Sequence, residues 1–360
     1  MMTNNTVAFD EILAGVLAAL VLSPLAIWLA RRLGFIDHPG LQAHKRHAQP
    51  IPLAGGMVII AGLLMLVPVF RLWQIPGFVA ISAPALVVFA IGLLDDHNKR
   101  FPARYKLLGQ ALAAALFLLL GERVQILKPS FLGWGADAVF WLNGAITILW
   151  LVCITNAFNF IDSMDGLATG VGATALAFFV LATVNANQLL LAQFVGLLFG
   201  LFMGLYFFNA PPARLFLGDS GAMTIGFLLG AVSIFYTPFE VQQASSWFVP
   251  ILIMGIPLFD TALVVFSRLR RGERFYRAGC DHTYHRLVGL GLDSNRAVLL
   301  IVIAALVLDC IAIVALSQPP LIANLIFGGC VAAGVGLGIF LDSRRVMNAS
   351  QELDAASISS

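Results

Sequence analysis

Residues 146–170 read ITILWLVCITNAFNFIDSMDGLATG. The first half is an apolar run. The second half sets Asn156, Asn159, Asp162 and Asp165 at every third position, roughly along one face of a helical segment. An apolar helix that turns polar along one stripe at one end is the pattern of a membrane span delivering side chains to the membrane surface. Spanning takes about 20 mostly apolar residues, and the run at 138–158 that contains this stretch meets that length.

Working outward, polar or turn residues punctuate the rest of the chain at a similar interval. The other apolar runs lie near 11–31, 51–70, 77–94, 105–120, 168–184, 188–208, 222–238, 246–267, 296–316 and 321–341. The reading is an all-α, polytopic integral membrane protein with about eleven transmembrane helices, or ten. Composition agrees. Of 360 residues, 60% are apolar and 11% charged, against about 25% charged in soluble domains. That excludes a soluble domain, a disordered chain and a nucleic-acid binder with a basic surface, and the net charge of +2 by itself indicates no partner. Cys153, Cys280, Cys310 and Cys330 show no CxxC spacing, so neither a disulfide framework nor a zinc site is expected. Asp10 and Glu11 precede the first run while Arg31 and Arg32 follow it, which suits a retained first helix rather than a cleaved leader. Residues 1–341 read as one transmembrane domain and 342–360 as a polar, disordered tail.

Lys and Arg in the loops set the orientation. With the N-terminus outside and the C-terminus cytoplasmic, 18 of the 21 fall on the inner side, leaving only Arg71, Arg123 and Lys128 outside. The same assignment gathers Asp95, Asp96, Asn156, Asn159, Asp162, Asp165, Asp219, His282 and His285 on the cytoplasmic side. Chemistry at that surface suits an enzyme joining a soluble donor to a lipid.

Asp95 and Asp96 end the third span in IGLLDDHNKR, where the helix dipole opposes negative charge by about 0.3–1 kcal/mol each. Two carboxylates placed there read as a base or a cation-binding pair, the alternative being a solvated loop neutralised by Lys99 and Arg100. Four polar groups on the Asn156–Asp165 stripe need a common partner, and oxygen ligands suit a hard cation that also binds substrate phosphates. Asp165 has a second reading as the N-cap of the following helix. Asp219, in RLFLGDSG, reads either as an N-cap or as a phosphate or metal contact at a helix N-terminus. The loop RLRRGERFYRAGCDHTYHRLVGLG supplies Arg268, Arg270 and Arg271, which read first as topological charge. It also supplies His282, Tyr284, His285 and Arg286, whose donors suit hydroxyls and phosphates. Lys45 and His47 precede a Pro- and Gly-rich turn. Asp260 and Asp309 lie inside spans, where ionisable groups are costly; Asp260, beyond Pro257, reads as support for the site.

In order, the blocks HKRHAQPIPLAGG, DDHNKR with YKLLGQ, NAFNFIDSMDGL, FLGDSG, PLFDT and the histidine loop resemble the polyprenyl-phosphate N-acetylhexosamine-1-phosphate transferase family, from about Asp37 to Leu292. The family includes initiators of O-antigen, common-antigen and teichoic-acid synthesis and the peptidoglycan translocase. The resemblance implies transfer of a sugar 1-phosphate from a UDP-N-acetylhexosamine to undecaprenyl phosphate with release of UMP, in the bacterial inner (plasma) membrane. It implies Mg²⁺, or Mn²⁺ in its place, with Asn159 and Asp219 as ligands. Asp95 and Asp96 match the acidic pair that meets the lipid phosphate. Asp162 joins them at the reacting end and, with Asp165 and Asn156, lines the nucleotide pocket. Phe216 matches an aromatic that stacks on uracil, and Lys45, His47 and Lys106 lie by the diphosphate. His282, Tyr284, His285 and Arg286 fall in the region that recognises sugar and pyrophosphate. Many relatives carry an HxHHRL-like run there, whereas this chain has Tyr284 in place of one histidine. The missing histidine triplet favours a UDP-GlcNAc-type donor over UDP-MurNAc-pentapeptide. Single displacement is the expected course, with double displacement through an aspartyl-phosphate left open. A homodimer is compatible with so apolar a surface. The alternative class is a transporter with carboxylate-coupled binding, whose site would lie near the bilayer midplane.

Overall fold

The computed structural model describes residues 8–38, 49–98, 101–128, 133–238, 241, 243–273, 279 and 281–343. Over these the chain is almost wholly helical. Helix α1 (Phe9–Leu33) leads into a two-stranded antiparallel ribbon, β1 (Ile36–Asp37) and β2 (Ile51–Pro52), with Ile36 opposite Pro52. There follow α2 (Gly55–Val69), a 3₁₀ turn at Leu72–Gln74, α3 (Phe78–His97), α4 (Ala103–Leu119), α5 (Ala136–Ile161), α6 (Leu167–Asn185), α7 (Leu189–Asn209) and α8 (Gly218–Phe235). The chain then runs through α9 (Gln243–Ser246), α10 (Val249–Ile253), α11 (Gly255–Arg270), α12 (Thr283–Gly289), α13 (Ser294–Leu316) and α14 (Pro320–Leu341).

Every apolar run of the sequence becomes a helix, but not every helix is equally long. Among the described residues, eight helices are long and apolar enough to cross a membrane, namely α1, α3, α5, α6, α7, α8, α13 and α14. The run at 246–267 is not one straight span. It bends by 67° between α10 and α11, because the Pro257 ring clashes with the carbonyl four residues earlier. Helices α2 and α4 have 15 and 17 residues, about 22 and 25 Å at the helical rise, shorter than a hydrocarbon core of about 30 Å.

The bundle is built around α8. Each residue from Ser220 to Ser233 is buried, as expected of a helix that is apolar all round, and α2, α3, α5 and α6 pack against it. Helix α14 is the opposite case, with only 6% of its apolar window buried. Between these extremes α1 lies along α7, on Gly196, Gly200 and Gly204. Small residues four apart let two backbones approach closely. A Cβ on Gly200 would overlap the Ile12 carbonyl, and one on Gly15 would lie 2.5 Å from the Leu197 carbonyl oxygen. Several hydroxyls inside the bundle are satisfied within their own helix. Thr155, Thr183 and Thr224 hydroxyls donate to the carbonyl four residues back.

This packing generates a comparison. Gly200→Ala should lower the thermal unfolding midpoint of the detergent-purified protein, overpacking of a tight interface costing about 1–3 kcal/mol. Gly328→Ala on α14, where an added Cβ meets nothing within 4 Å, should leave the midpoint unchanged or slightly higher.

Candidate active site

Four helix ends meet at one end of the bundle: the carboxyl ends of α3 and α5 and the amino ends of α4 and α8. They carry Asp95 and Asp96, Asn159, Lys106, and Asp219 respectively. Asp219 is the hub. Its Oδ1 accepts from Lys106 Nζ at 3.0 Å and from Asn159 Nδ2 at 2.5 Å. Lys106 also ion-pairs with Asp95, so one ammonium bridges carboxylates from α3 and α8. The Asp219 side chain is 30% exposed and that of Lys106 21%, leaving both reachable from outside the bundle.

Adjacent in sequence, Asp95 and Asp96 have separate tasks. Asp96 is buried at 7% exposure and accepts the backbone N–H groups of Asp219 (2.7 Å) and Ser220 (3.0 Å). It therefore caps α8 from another helix. The first N–H groups of a helix have no partner within it, and here a carboxylate from α3 supplies one, a charge-assisted arrangement. Gly218 makes this approach possible: its φ is +70°, and a Cβ there would sit 2.6 Å from Asp96 Oδ2. The N-cap reading of Asp219 is thereby corrected. Asp219 receives a capped backbone and keeps its side chain for Lys106 and Asn159. Negative charge at the end of α3 is tolerated because Asp96 meets these N–H groups and Asp95 meets Lys106.

One turn deeper, Asn156 on α5 and Gln110 on α4 form a reciprocal amide pair, and Gln110 also reaches Met223 on α8. Asn156 is thus a tie between helices beneath the Lys106–Asp219–Asn159 layer. Gln110 was not singled out by the sequence, although its place four residues after Lys106 sets both on one face of α4. Asp162 terminates α5 and is half-buried. Asp165 is not an N-cap either. Its Oδ2 accepts from the Ala213 N–H at 2.9 Å, fastening the α7–α8 connection. Phe216 in that connection is held by its backbone, its N–H donating to the Pro52 carbonyl and its carbonyl accepting from Ala54 and Gly55. Lys45 and His47 lie outside the described residues.

The histidine segment folds as α12. Asp260, buried in α11, accepts from the Thr283 N–H at 2.6 Å and lies 2.8 Å from His282 Nδ1, which fixes the ring beside Phe160, with centroids 6.2 Å apart. Phe160 follows Asn159 on α5, so His282 packs against the same end of that helix. His285 is 6.0 Å from His282, ring to ring. Two residues of this segment depart from the substrate-contact reading. Tyr284 is 2% exposed, with its hydroxyl donating to Ser294 Oγ at 2.7 Å. Arg286 is fully buried and donates to the carbonyls of Asp281 and Leu341. Both are committed to the interior of the bundle.

Nor are the arginines of α11 only topological charge. Arg268 forks onto Asp281 at 2.9 and 2.5 Å, and Arg271 adds a third contact at 2.9 Å. Burial by itself raises the Asp281 pKa, but the hydrogen bonds and charge of Arg268, with Arg271, outweigh it and hold the carboxyl below its ordinary value. A depressed folded pKa gives stability that is present above the unfolded value of about 3.9 and is lost as pH falls through the folded one.

Asn159 and Asp219 offer side-chain oxygens at one opening. Among the described residues no group of three or more His, Cys, Asp or Glu is arranged to hold a metal ion. Such a donor set fits a hard cation that takes one or two protein oxygens and completes its shell with phosphates and water. It does not fit a four-ligand structural zinc.

Asp96→Asn should lower the thermal unfolding midpoint, because its amide NH₂ would face a backbone N–H, leaving buried donors opposed at a cost of about 1–3 kcal/mol. Asp95→Asn, whose partner Lys106 retains Asp219, should lower it less.

The sequence is similar to known proteins over most of its length. Residues 78–237, from α3 to just beyond α8, match the model of glycosyl transferase family 4. A probable undecaprenyl-phosphate N-acetylglucosaminyl 1-phosphate transferase of Bacillus subtilis is 28% identical over 87% of this chain and 85% of its own length. A decaprenyl-phosphate N-acetylglucosaminephosphotransferase of Mycolicibacterium smegmatis is 33% identical over 80% of this chain and 78% of its own. A phospho-N-acetylmuramoyl-pentapeptide-transferase of Geobacillus kaustophilus is 29% identical over 76% and 87%.

Proposed function

The chain belongs to glycosyl transferase family 4, and from that premise we propose that it transfers N-acetylglucosamine 1-phosphate from UDP-GlcNAc to undecaprenyl phosphate. The products are undecaprenyl-diphosphate-GlcNAc and UMP, which makes this the first membrane step of a cell-envelope glycan pathway. The observation that carries the reading is the Asp95–Lys106–Asp219–Asn159 cluster, set at helix ends where a soluble donor can reach it. Beside it lie exposed apolar side chains, Leu94, Leu107 and Leu108, against which a polyprenyl chain can rest.

In this reading α2, α4 and the bent α9–α11 segment also cross, giving eleven spans with the N-terminus outside and the C-terminus in the cytoplasm. The 18-to-3 division of basic residues supports that orientation, and the cluster then faces the cytoplasm of the inner membrane, where UDP-sugars are. A transporter site is expected near the midplane. The cluster lies at helix ends instead, while Asp309 is buried in mid-α13.

Phosphoryl transfer depends on positioning and charge neutralisation more than on covalent machinery. An oxygen of the lipid phosphate attacks the β-phosphorus of the donor. That bond forms as the bond from the β-phosphorus to the UMP oxygen breaks, and UMP leaves with the electron pair. Asp95 takes any proton remaining on the lipid phosphate. Lys106 places positive charge against the diphosphate. Asp165 fixes the α7–α8 connection that presents Phe216 to the uracil, and Asp162 closes the same side. His282, oriented by Asp260, and His285 donate to the sugar and diphosphate. Asn159 and Asp219 would hold Mg²⁺, or Mn²⁺, which neutralises the diphosphate oxygens when bound.

The test is UMP release by the detergent-purified protein with undecaprenyl phosphate and Mg²⁺, running UDP-GlcNAc, UDP-GalNAc and UDP-MurNAc-pentapeptide in parallel. Release should require lipid and metal, prefer UDP-GlcNAc, stop with EDTA and resume with Mg²⁺. Asp219→Ala and Asn159→Ala should each lower turnover by about a hundredfold or more. Near wild-type turnover in either would sink the metal assignment, and preference for another donor would rename the sugar.

A further inference from the structure

Asp342 follows the last residue of α14, the most lipid-exposed helix of the bundle, yet it is only 2% exposed itself. Its Oδ1 accepts from Ser267 Oγ on α11 at 2.5 Å and from Arg286 Nη1 on α12 at 3.2 Å, while Arg270 Nη2 lies 2.8 Å from Oδ2. Arg286 is fully buried, and its other bonds go to the backbone carbonyls of Asp281 (2.9 Å) and Leu341 (3.0 Å). A guanidinium taken wholly out of water must be paired and hydrogen-bonded. The carboxylate hydrogen-bonded to it comes from the far end of the chain, 56 positions on.

Helix α12 has seven residues, too few to set its own orientation. Three side-chain anchors do so. Asp260 holds its first turn, the Tyr284 hydroxyl ties it to Ser294 at the start of α13, and Arg286 ties it to Asp342. The first belongs to the site, and the second spans only ten residues. Of these three anchors, the third is the one that couples α12 to the last helix, where Arg286 also reaches the Leu341 carbonyl. His285 and Arg286 are consecutive, so on a helix they point about 100° apart; whatever fixes the rotation of Arg286 fixes that of His285.

We propose that Asp342 is a positioning residue of the donor site: by holding Arg286 it sets the rotation of α12, and with it where His282 and His285 meet the sugar diphosphate. The functional half of this inference rests on the transferase reading above; the structural half does not.

The experiment uses full-length protein in detergent with two readouts. Hydrogen exchange over residues 283–289 reports whether α12 is held, and steady-state UMP release with UDP-GlcNAc and undecaprenyl phosphate separates donor KM from acceptor KM. In Asp342→Asn, α12 should exchange faster while α8 is unchanged. Donor KM should rise about tenfold, the scale at which outer supporting contacts act, with acceptor KM unaltered, and Asp342→Glu should recover most of the loss. Because Asp342→Asn leaves the Arg286 charge buried, Asp342→Asn with Arg286→Gln provides the same measurement if the single variant does not fold. Unchanged exchange, unchanged donor KM in folded protein, or equal rises in both KM values would overturn the proposal. If wild-type protein releases no UMP from any donor, the transferase reading fails, while the exchange data still decide whether Asp342 holds α12.

Discussion

The carboxylate of Asp96 on the first turn of α8 is the contact on which the remaining geometry depends. Helix α8 runs through the middle of the bundle with no face left to water, so its leading N–H groups need a partner brought from elsewhere. Asp96 provides one from α3, across a Gly218 backbone that no side-chain-bearing residue adopts without strain. This pairing fixes the rotation and depth of α8, and Asp219 lies in the same turn. The hub of the site is therefore placed by a backbone interaction, which leaves its side chain free for Lys106 and Asn159. Removing solvent from a carboxylate is costly without hydrogen bonds; two backbone donors and a helix dipole offset part of that cost here.

The layer beneath shows the same division. Gln110 and Asn156 exchange amide bonds between α4 and α5, holding Lys106 and Asn159 at matching heights. Side chains that hold a site must be satisfied among themselves, since a half-satisfied polar network in an apolar bundle favours other packings. On the other flank, Asp260 does for His282 what Asp96 does for Asp219: each is a buried carboxylate that orients a more accessible neighbour.

How much of this was legible depended on distance along the chain. The apolar runs were, because hydropathy and length are local, and each became a helix; only the bend before α11 needed Pro257 to be read as a break rather than a kink. The convergence of Asp95, Asn159 and Asp219 was legible too, since all sit at the same end of alternately directed helices. What residue type could not reveal was which polar groups are used up by partners far away in sequence. Asp96 and Ser220 are 124 positions apart, and Asp165 and Ala213 are 48 apart. For that reason Asp95 and Asp96 looked equivalent, Asp165 and Asp219 looked like caps, and Tyr284 and Arg286 looked like substrate contacts. Asp342 looked like the head of a polar tail because its partners, Ser267 on α11 and Arg286 on α12, lie 75 and 56 positions earlier in the chain.

The glycine seam between α1 and α7 bears on how such a chain is made. Ile12 and Gly200, whose backbones touch, are 188 residues apart. At a synthesis rate of about 5–20 residues per second, α1 waits on the order of 10–40 s for its surface of closest fit. Throughout that interval its narrow face, shaped for another backbone, is covered only by lipid or by the insertion machinery. Helix α1 thus precedes its main packing partner by that interval, and its retention in the bilayer meanwhile rests on hydropathy rather than on this contact.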